Sequence, residues 1–139
     1  MHRYVRLRKK FLRVPELHMY DVYAPMVDRP DKAYSFEEAK QTVKRGLAPL
    51  GEDYLALLQE GFDNRWIDVY ENEGKRTGAY SWGAYGTHPY VLLNYNSTLK
   101  NVFTLAHEMG HALHSWYSDH AQNYLNAGYR IFVAATKRF

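Results

Sequence analysis

Residues 104–116 read TLAHEMGHALHSW and contain the pentad HEMGH at positions 107–111. Because an α-helix turns about 100° per residue, histidines four positions apart lie on one face, one turn apart. Two imidazoles so placed can bind one Zn²⁺ ion at about 2.0–2.1 Å. The intervening glutamate can act as the general base that takes a proton from an attacking water. The pentad therefore predicts a zinc-peptidase site, with His107 and His111 as metal ligands and Glu108 as the catalytic residue.

The pentad lies inside a stretch with the apolar periodicity of a long helix, which we predict over residues 98–118. Its polar face comprises Thr104, His107, Glu108, His111, His114 and Ser115. The face expected to anchor it in the core comprises Leu99, Phe103, Ala106, Gly110, Leu113 and Tyr117. We interpret His114 as a surface residue of the helix or as a residue that contacts the metal ligands. We consider it less suited to bind the metal itself.

Upstream of this helix, the sequence predicts three short strands, at residues 66–70, 79–85 and 90–95. Because they follow one another through turn-rich links, we expect a small antiparallel sheet. Further helices are predicted at 2–13, 35–47 and 51–62, and residues 16–34 are predicted to form an extended connection. Ser35 and Glu38 have the spacing of a capping box at the start of the second of these helices. The predicted fold is mainly α with a small antiparallel β-sheet, in one domain over residues 1–139.

The composition is that of an ordinary globular chain, with 46% hydrophobic and 24% charged residues. It contains no cysteine, which excludes disulfides and thiolate metal ligands. No apolar run has the length of a signal peptide, and none approaches the roughly 18 residues of a transmembrane helix. We therefore expect a cytoplasmic protein without a membrane partner.

Residues 3–13 carry six of the 18 lysines and arginines. This cluster could be a patch for nucleic acid or a membrane, or it could be the solvated face of a helix. The apolar side of that helix would carry Tyr4, Val5, Leu7, Phe11 and Leu12. We prefer the second interpretation and expect no nucleic-acid partner, because no nucleic-acid motif accompanies the charges.

A zinc peptidase of this kind needs a third protein ligand. The continuation H-E-x-x-H-x-x-G-x-x-H fails, because His114 and Tyr117 occupy its last glycine and histidine positions. The other main plan takes a glutamate from a following helix. Residues 109–139 contain no glutamate, and Asp119 is their only carboxylate. The sequence therefore predicts two zinc ligands and offers no obvious candidate for the third.

Three segments of the chain resemble a known family. GKRTGAYS (74–81), THPYVLLNYN (87–96) and above all NVFTLAHEMGHALHSWYS (101–118) resemble oligoendopeptidase F, of the thimet oligopeptidase family of zinc metallopeptidases. The resemblance extends from about His2 to Ala134. Family members are about four times as long, so we interpret the chain as an internal piece of such an enzyme, a partial catalytic domain.

The resemblance implies a mostly helical, cytosolic metalloendopeptidase with a channel that admits short peptides. It carries zinc binding over to His107 and His111 and the role of catalytic base to Glu108. It also implies that the strand around Gly78, Ala79, Tyr80 and Ser81 offers backbone groups to an extended peptide substrate.

The resemblance also indicates where the third ligand would be expected. In the family, a stretch like YRIFVA (129–134) continues with the glutamate that completes the zinc site, and that position here is Ala135. Two functions therefore stay open. The chain is a fragment of a zinc endopeptidase, which a complementing remainder of the enzyme would complete, or it is an inactive remnant that binds metal or peptide weakly.

Overall fold

The computed structural model describes residues 2–26 and 32–130. The helices are α1 at His2–Leu12, α2 at Phe36–Gly46, α3 at Glu52–Asp63 and α4 at Leu99–Ala121. The strands are β1 at Ile67–Asp68, β2 at Tyr80–Trp82 and β3 at Tyr90–Leu92. This part of the chain is thus mainly helical with a small sheet, as predicted. The chain divides into two compact units, Met1–Asp31 and Lys32–Phe139. The single domain expected over residues 1–139 stays a prediction.

In the first unit, α1 buries one of its basic side chains. Arg8 is only 5% exposed. Its Nε and Nη2 atoms donate to the backbone carbonyl of Asp21 at 2.9 and 2.7 Å, and Nη2 also donates to that of Ala24. The prediction that the basic face is solvated is therefore wrong at Arg8, because a guanidinium has enough donors to satisfy several carbonyls of a turn.

The carbonyl of Asp21 belongs to a 3₁₀ helix at Met19–Tyr23, inside the connection over 16–34 that we predicted to be extended. That prediction is wrong at these positions, and residues 27–31 of the connection lie outside the described residues. The physical reason is local. The Asp21 carboxylate accepts a hydrogen bond from the His18 N–H at 2.8 Å, which closes the turn from its first residue.

In the second unit, side-chain caps start two of the helices. Ser35 Oγ accepts from the Glu38 N–H at 3.2 Å, and Glu38 Oε2 accepts from the Ser35 N–H at 2.9 Å. Thr98 and Asn101 form the same reciprocal pair at the start of α4. These caps satisfy backbone N–H groups that have no partner within the helix. The capping box predicted for α2 is therefore confirmed.

The sheet has the strand order β1-β3-β2. Strand β3 is antiparallel to β2, with Val91 opposite Ser81, and parallel to β1, with Val91 opposite Ile67. The predicted antiparallel sheet is therefore wrong, because this sheet is mixed. Of the three strand segments, the one around β3 is the most apolar, and its Val91 and Leu93 are buried. It therefore occupies the centre of the sheet, where a strand pairs with a neighbour on each side. The link over residues 69–79 is long enough to lead from β1 past the position of β3 to β2 at the opposite edge of the sheet.

The core of the second unit joins the helices α2, α3 and α4 to strand β3. From α4 it takes Val102, Leu105, Met109, Ala112 and Leu113. The anchoring face predicted for this helix is wrong in part, since Phe103 is 66% exposed and Leu99 and Tyr117 are also exposed. Apolar residues cover about half of the circumference of α4, so periodicity alone did not determine which stripe is buried.

Candidate metal centre

Helix α4 brings the two pentad histidines into direct contact. Their Nε2 atoms lie 3.0 Å apart, so that one ring donates a hydrogen bond to the other, and their planes are nearly perpendicular at 89°. Two nitrogen ligands on a tetrahedral zinc ion lie about 3.3 Å apart when each bond is about 2.0–2.1 Å. The separation of the histidine nitrogens is close to this value. His107 and His111 therefore fit two ligand positions of one zinc ion.

Glu108 lies between the histidines and the core. On a helix it is about 60° from Leu105, which is buried, and about 100° from His107. The side chain is only 7% exposed. Burial raises the pKa of Glu108 above its ordinary value, and the charge on His107 opposes this shift in part. A carboxylate with a raised pKa is a stronger base, so this position suits proton transfer.

Glu108 also lines an open cleft of about 640 Å³ beside the start of β2. Gly78 and Ala79, two of the four residues predicted to contact a peptide, line the same cleft. The other two, Tyr80 and Ser81, belong to β2, which is an edge strand of the sheet. The structure thus brings the predicted base together with Gly78 and Ala79 around one cavity, whereas Tyr80 and Ser81 do not line it, and the role of each residue stays a prediction.

His114 lies one turn beyond His111, against the last described segment. Its ring packs edge-to-face on the ring of Tyr129, with centroids 4.3 Å apart. The Tyr129 hydroxyl is also 3.1 Å from Ser115 Oγ. The resemblance of YRIFVA includes Tyr129, but it did not predict this contact, because a single tyrosine carries no periodic signal that points to a partner. A supporting role of His114 toward the metal ligands stays a prediction.

Within residues 2–26 and 32–130, no group of three or more histidine, aspartate or glutamate side chains is arranged to hold a metal ion. Asp119, the carboxylate nearest in sequence, lines two other clefts instead. Ala135, the position at which the resemblance implies the third ligand, lies outside the described residues. Among the residues that the structure describes, His107 and His111 are the expected ligands, and their binding of a metal stays a prediction.

Asn94 also lines the cleft, and we did not predict it. Its side-chain amide donates to two backbone carbonyls in the link that leads to β2. A polar residue near the end of a predicted strand gives no sign of such long-range bonds, so the sequence offered no signal.

Among the residues that the structure describes, no helix is long and apolar enough to cross a membrane.

Helix α4 carries two histidines one turn apart with a glutamate between them, and it lies beside a small sheet. This arrangement is typical of zinc-dependent peptidases. The sequence profile of peptidase family M3 matches residues 1–136, and the chain belongs to this family. The resemblance found in the sequence is thereby confirmed.

Two curated relatives indicate how much of the family's length is present. The chain is 54% identical to oligopeptidase PepF of Bacillus subtilis strain 168, over 96% of this chain and 20% of that protein. It is 45% identical to the chromosomal oligoendopeptidase F of Lactococcus lactis subsp. cremoris, over 96% of this chain and 22% of that protein. The chain thus spans about a fifth of the length of these relatives.

Two solved structures have a similar fold. A crystal structure named as a peptidase from Chlamydophila abortus is 44% identical and superposes with a TM-score of 0.83, over 96% of this chain and 22% of that one. An oligoendopeptidase F from Bacillus anthracis is 21% identical with a TM-score of 0.67, over 83% of this chain and 22% of that one. The second likeness concerns the fold alone.

Proposed function

We propose that this chain carries part of the active site of a zinc-dependent endopeptidase that hydrolyses short peptides. One observation carries the proposal: the Nε2 atoms of His107 and His111 lie 3.0 Å apart on the same helix as a buried glutamate that faces a cleft. Membership of peptidase family M3 supports it. The role of each residue is part of the proposal.

The histidine pair would hold the zinc ion, which when bound supplies a positive charge that polarises the scissile carbonyl. Glu108 accepts the proton of the attacking water and passes it to the leaving amine. Its burial supports this role, because removal from water favours the protonated carboxyl and so strengthens the base. The open cleft in front of Glu108 gives a substrate and a water access to it.

Strand β2 is proposed to bind the peptide backbone. It is an edge strand, and an edge strand presents N–H and C=O groups with which an extended peptide can pair. Its side chains Tyr80 and Trp82 are both exposed, so they can cover the flanks of a peptide. Because backbone pairing does not depend on side chains, we propose short peptides of varied sequence as substrates.

A second candidate is a module that binds metal and peptide weakly without hydrolysis. Two facts favour it: residues 109–139 contain no glutamate, and the described residues contain no group of three potential ligands arranged to hold a metal ion. A catalytic zinc site has three protein ligands. If a complementing remainder of the enzyme supplied the third zinc ligand, the site would be complete and the first candidate function would apply. The cytoplasmic location and the absence of nucleic-acid and membrane partners stay predictions.

The test measures zinc content and cleavage of an internally quenched fluorescent peptide by the purified chain. We expect His111→Ala to lose zinc, and Glu108→Gln to keep zinc while losing any cleavage. His120→Ala is the control, because this histidine lies at the exposed end of α4, where its Nδ1 donates to the Trp116 carbonyl at 2.7 Å. Zinc that is bound without cleavage would favour the binding module. Equal zinc loss in the control would refute both candidates.

A further inference from the structure

We propose that Asn94 is a positioning residue that holds the link before β2 where this strand can bind a peptide. The inference rests on the proposed function, since it concerns the same cleft. The residue lies two positions beyond β3, the central strand of the sheet. It therefore connects the most firmly paired part of the sheet to its exposed edge.

The amide of Asn94 forms a two-pronged clamp. Its Nδ2 donates to the carbonyl of Arg76 at 2.9 Å and to the carbonyl of Gly78 at 2.8 Å. Both amide hydrogens are thus used on a segment 16 to 18 positions away in sequence. The reverse orientation of the amide would set its oxygen against two carbonyl oxygens, so the contacts determine which way it points.

The clamped segment forms one wall of the cleft. Thr77, Gly78 and Ala79 line it together with Asn94 and Glu108. Gly78 has φ +98°, a conformation that L side chains rarely adopt, so the chain turns sharply here and directs carbonyls on both sides of Thr77 toward the amide. A displacement of this turn would displace both the wall and the start of β2.

A second anchor, at Lys75 next to Arg76, ties the middle of the same link to β1 and the residues just after it. The side chain of Lys75 is only 3% exposed, and its Nζ donates to the carbonyls of Asp68 at 3.2 Å and Tyr70 at 2.6 Å. Nζ is also 3.2 Å from the Asp68 carboxylate. The link between β1 and β2 is thus tied to strand β1 on one side and to the end of β3 on the other. Asn94 provides the tie nearer to β2.

The clamp also has a cost. The Oδ1 atom of Asn94 is buried and has no hydrogen-bond partner within the part of the chain that the structure describes. A buried polar atom without a partner is unfavourable, and few occur in folded proteins. An apolar residue would fill this position without burying an unpaired oxygen. The two hydrogen bonds that the amide donates therefore explain why an asparagine is found here.

The experiment compares Asn94→Asp with Asn96→Asp in the full chain. Both substitutions put the same charge into the same cleft, but only the first removes donors from the link. Hydrogen exchange of the amides of residues 77–82 should accelerate in the first variant and stay unchanged in the second. Affinity for a fluorescein-labelled octapeptide of alternating alanine and serine should fall about ten-fold more in the first variant than in the second, which measures the effect of the charge alone.

A peptide N-methylated at alternate residues separates lost backbone pairing from a general loss of structure, which would weaken the binding of both peptides alike. It cannot pair fully with an edge strand, so its affinity should differ less than about two-fold between the wild type and Asn94→Asp. If Asn94→Asp melts below the assay temperature, Asn94→Ala takes its place, because it removes the donors without adding a charge.

Unchanged exchange at residues 77–82 would overturn the inference whatever the peptide does. Faster exchange with undiminished affinity for the octapeptide would also overturn it, because the clamp would then not position the edge. If the wild-type chain binds no peptide while exchange still rises in Asn94→Asp alone, the proposed function fails and the ordering of the link by Asn94 is upheld.

Discussion

Gly61 of α3 lies close against Met109 of α4, a residue of the pentad. A Cβ atom at this position would lie 2.8 Å from Met109 Cε and 2.9 Å from Trp66 Cε3. Both distances are well below ordinary van der Waals contact, and both neighbours are buried. Gly61→Ala therefore inserts a methyl group where the core is already filled.

Two opposing effects determine the magnitude. Alanine gains about 1 kcal/mol over glycine inside a helix. Overpacking a filled core costs about 1–3 kcal/mol. The terminal methyl of Met109 can rotate away, but the Trp66 ring is stacked on His88 with planes 3° apart and has less freedom. We take about 2 kcal/mol for the overpacking, so the net loss of unfolding free energy is about 1 kcal/mol.

Thermal unfolding followed by circular dichroism measures this loss, which corresponds to a fall in Tm of about 4 °C. Gly46→Ala is the matched control, because Gly46 is the last residue of α2 and a Cβ there would meet nothing within 4 Å. That substitution should leave Tm unchanged or raise it. A Gly61→Ala chain as stable as the Gly46→Ala chain would refute the close approach of α3 and α4.

Further predictions concern the helices. Leu105→Ala should lower the unfolding free energy by about 3 kcal/mol and Phe103→Ala by no more than about 0.5, since only the first is buried; equal losses would contradict the face assigned to α4. Ser35→Ala should cost about 1 kcal/mol by chemical denaturation, and no loss would exclude the capping box. Hydrogen bonds from the backbone and side chain of Ser35 lower the pKa of Glu38 from 4.5, so the stability they add is present above pH 4.5 and is lost as the pH falls through the lower pKa of the folded chain. Glu38→Gln should flatten Tm between pH 5 and 3, and an unchanged profile would contradict this. Arg8→Met should speed hydrogen exchange at residues 19–24, because it removes donors to the Asp21 carbonyl, and unchanged exchange would contradict that contact.

The parts of the fold that depend on local chemistry could be predicted from the sequence. Ser35 with Glu38 located the start of α2, because a cap is decided within four residues. The spacing of His107 and His111 placed both side chains on one face of α4 for the same reason. These features need no knowledge of distant segments.

The parts that depend on distant segments could not be predicted. The central place of β3 follows from competition among three strands for the same neighbours. The burial of Leu105 in place of Phe103 follows from where the sheet and the other helices lie. The bonds from Asn94 to Arg76 and Gly78 join residues 16 to 18 positions apart. In each case, the sequence contains all the residues, but their spacing does not show which of them become neighbours in the fold.

The proposal that His107 and His111 bind one zinc ion can be tested directly. Zinc is titrated into the full chain while the ring nitrogens of all seven histidines are followed by two-dimensional ¹H–¹⁵N NMR. We predict that the Nε2 resonances of His107 and His111 shift together and saturate at one zinc per chain, while those of His88 and His120 stay in place. Saturation without any shift of the His107 and His111 resonances, or equal shifts of all seven, would contradict the account.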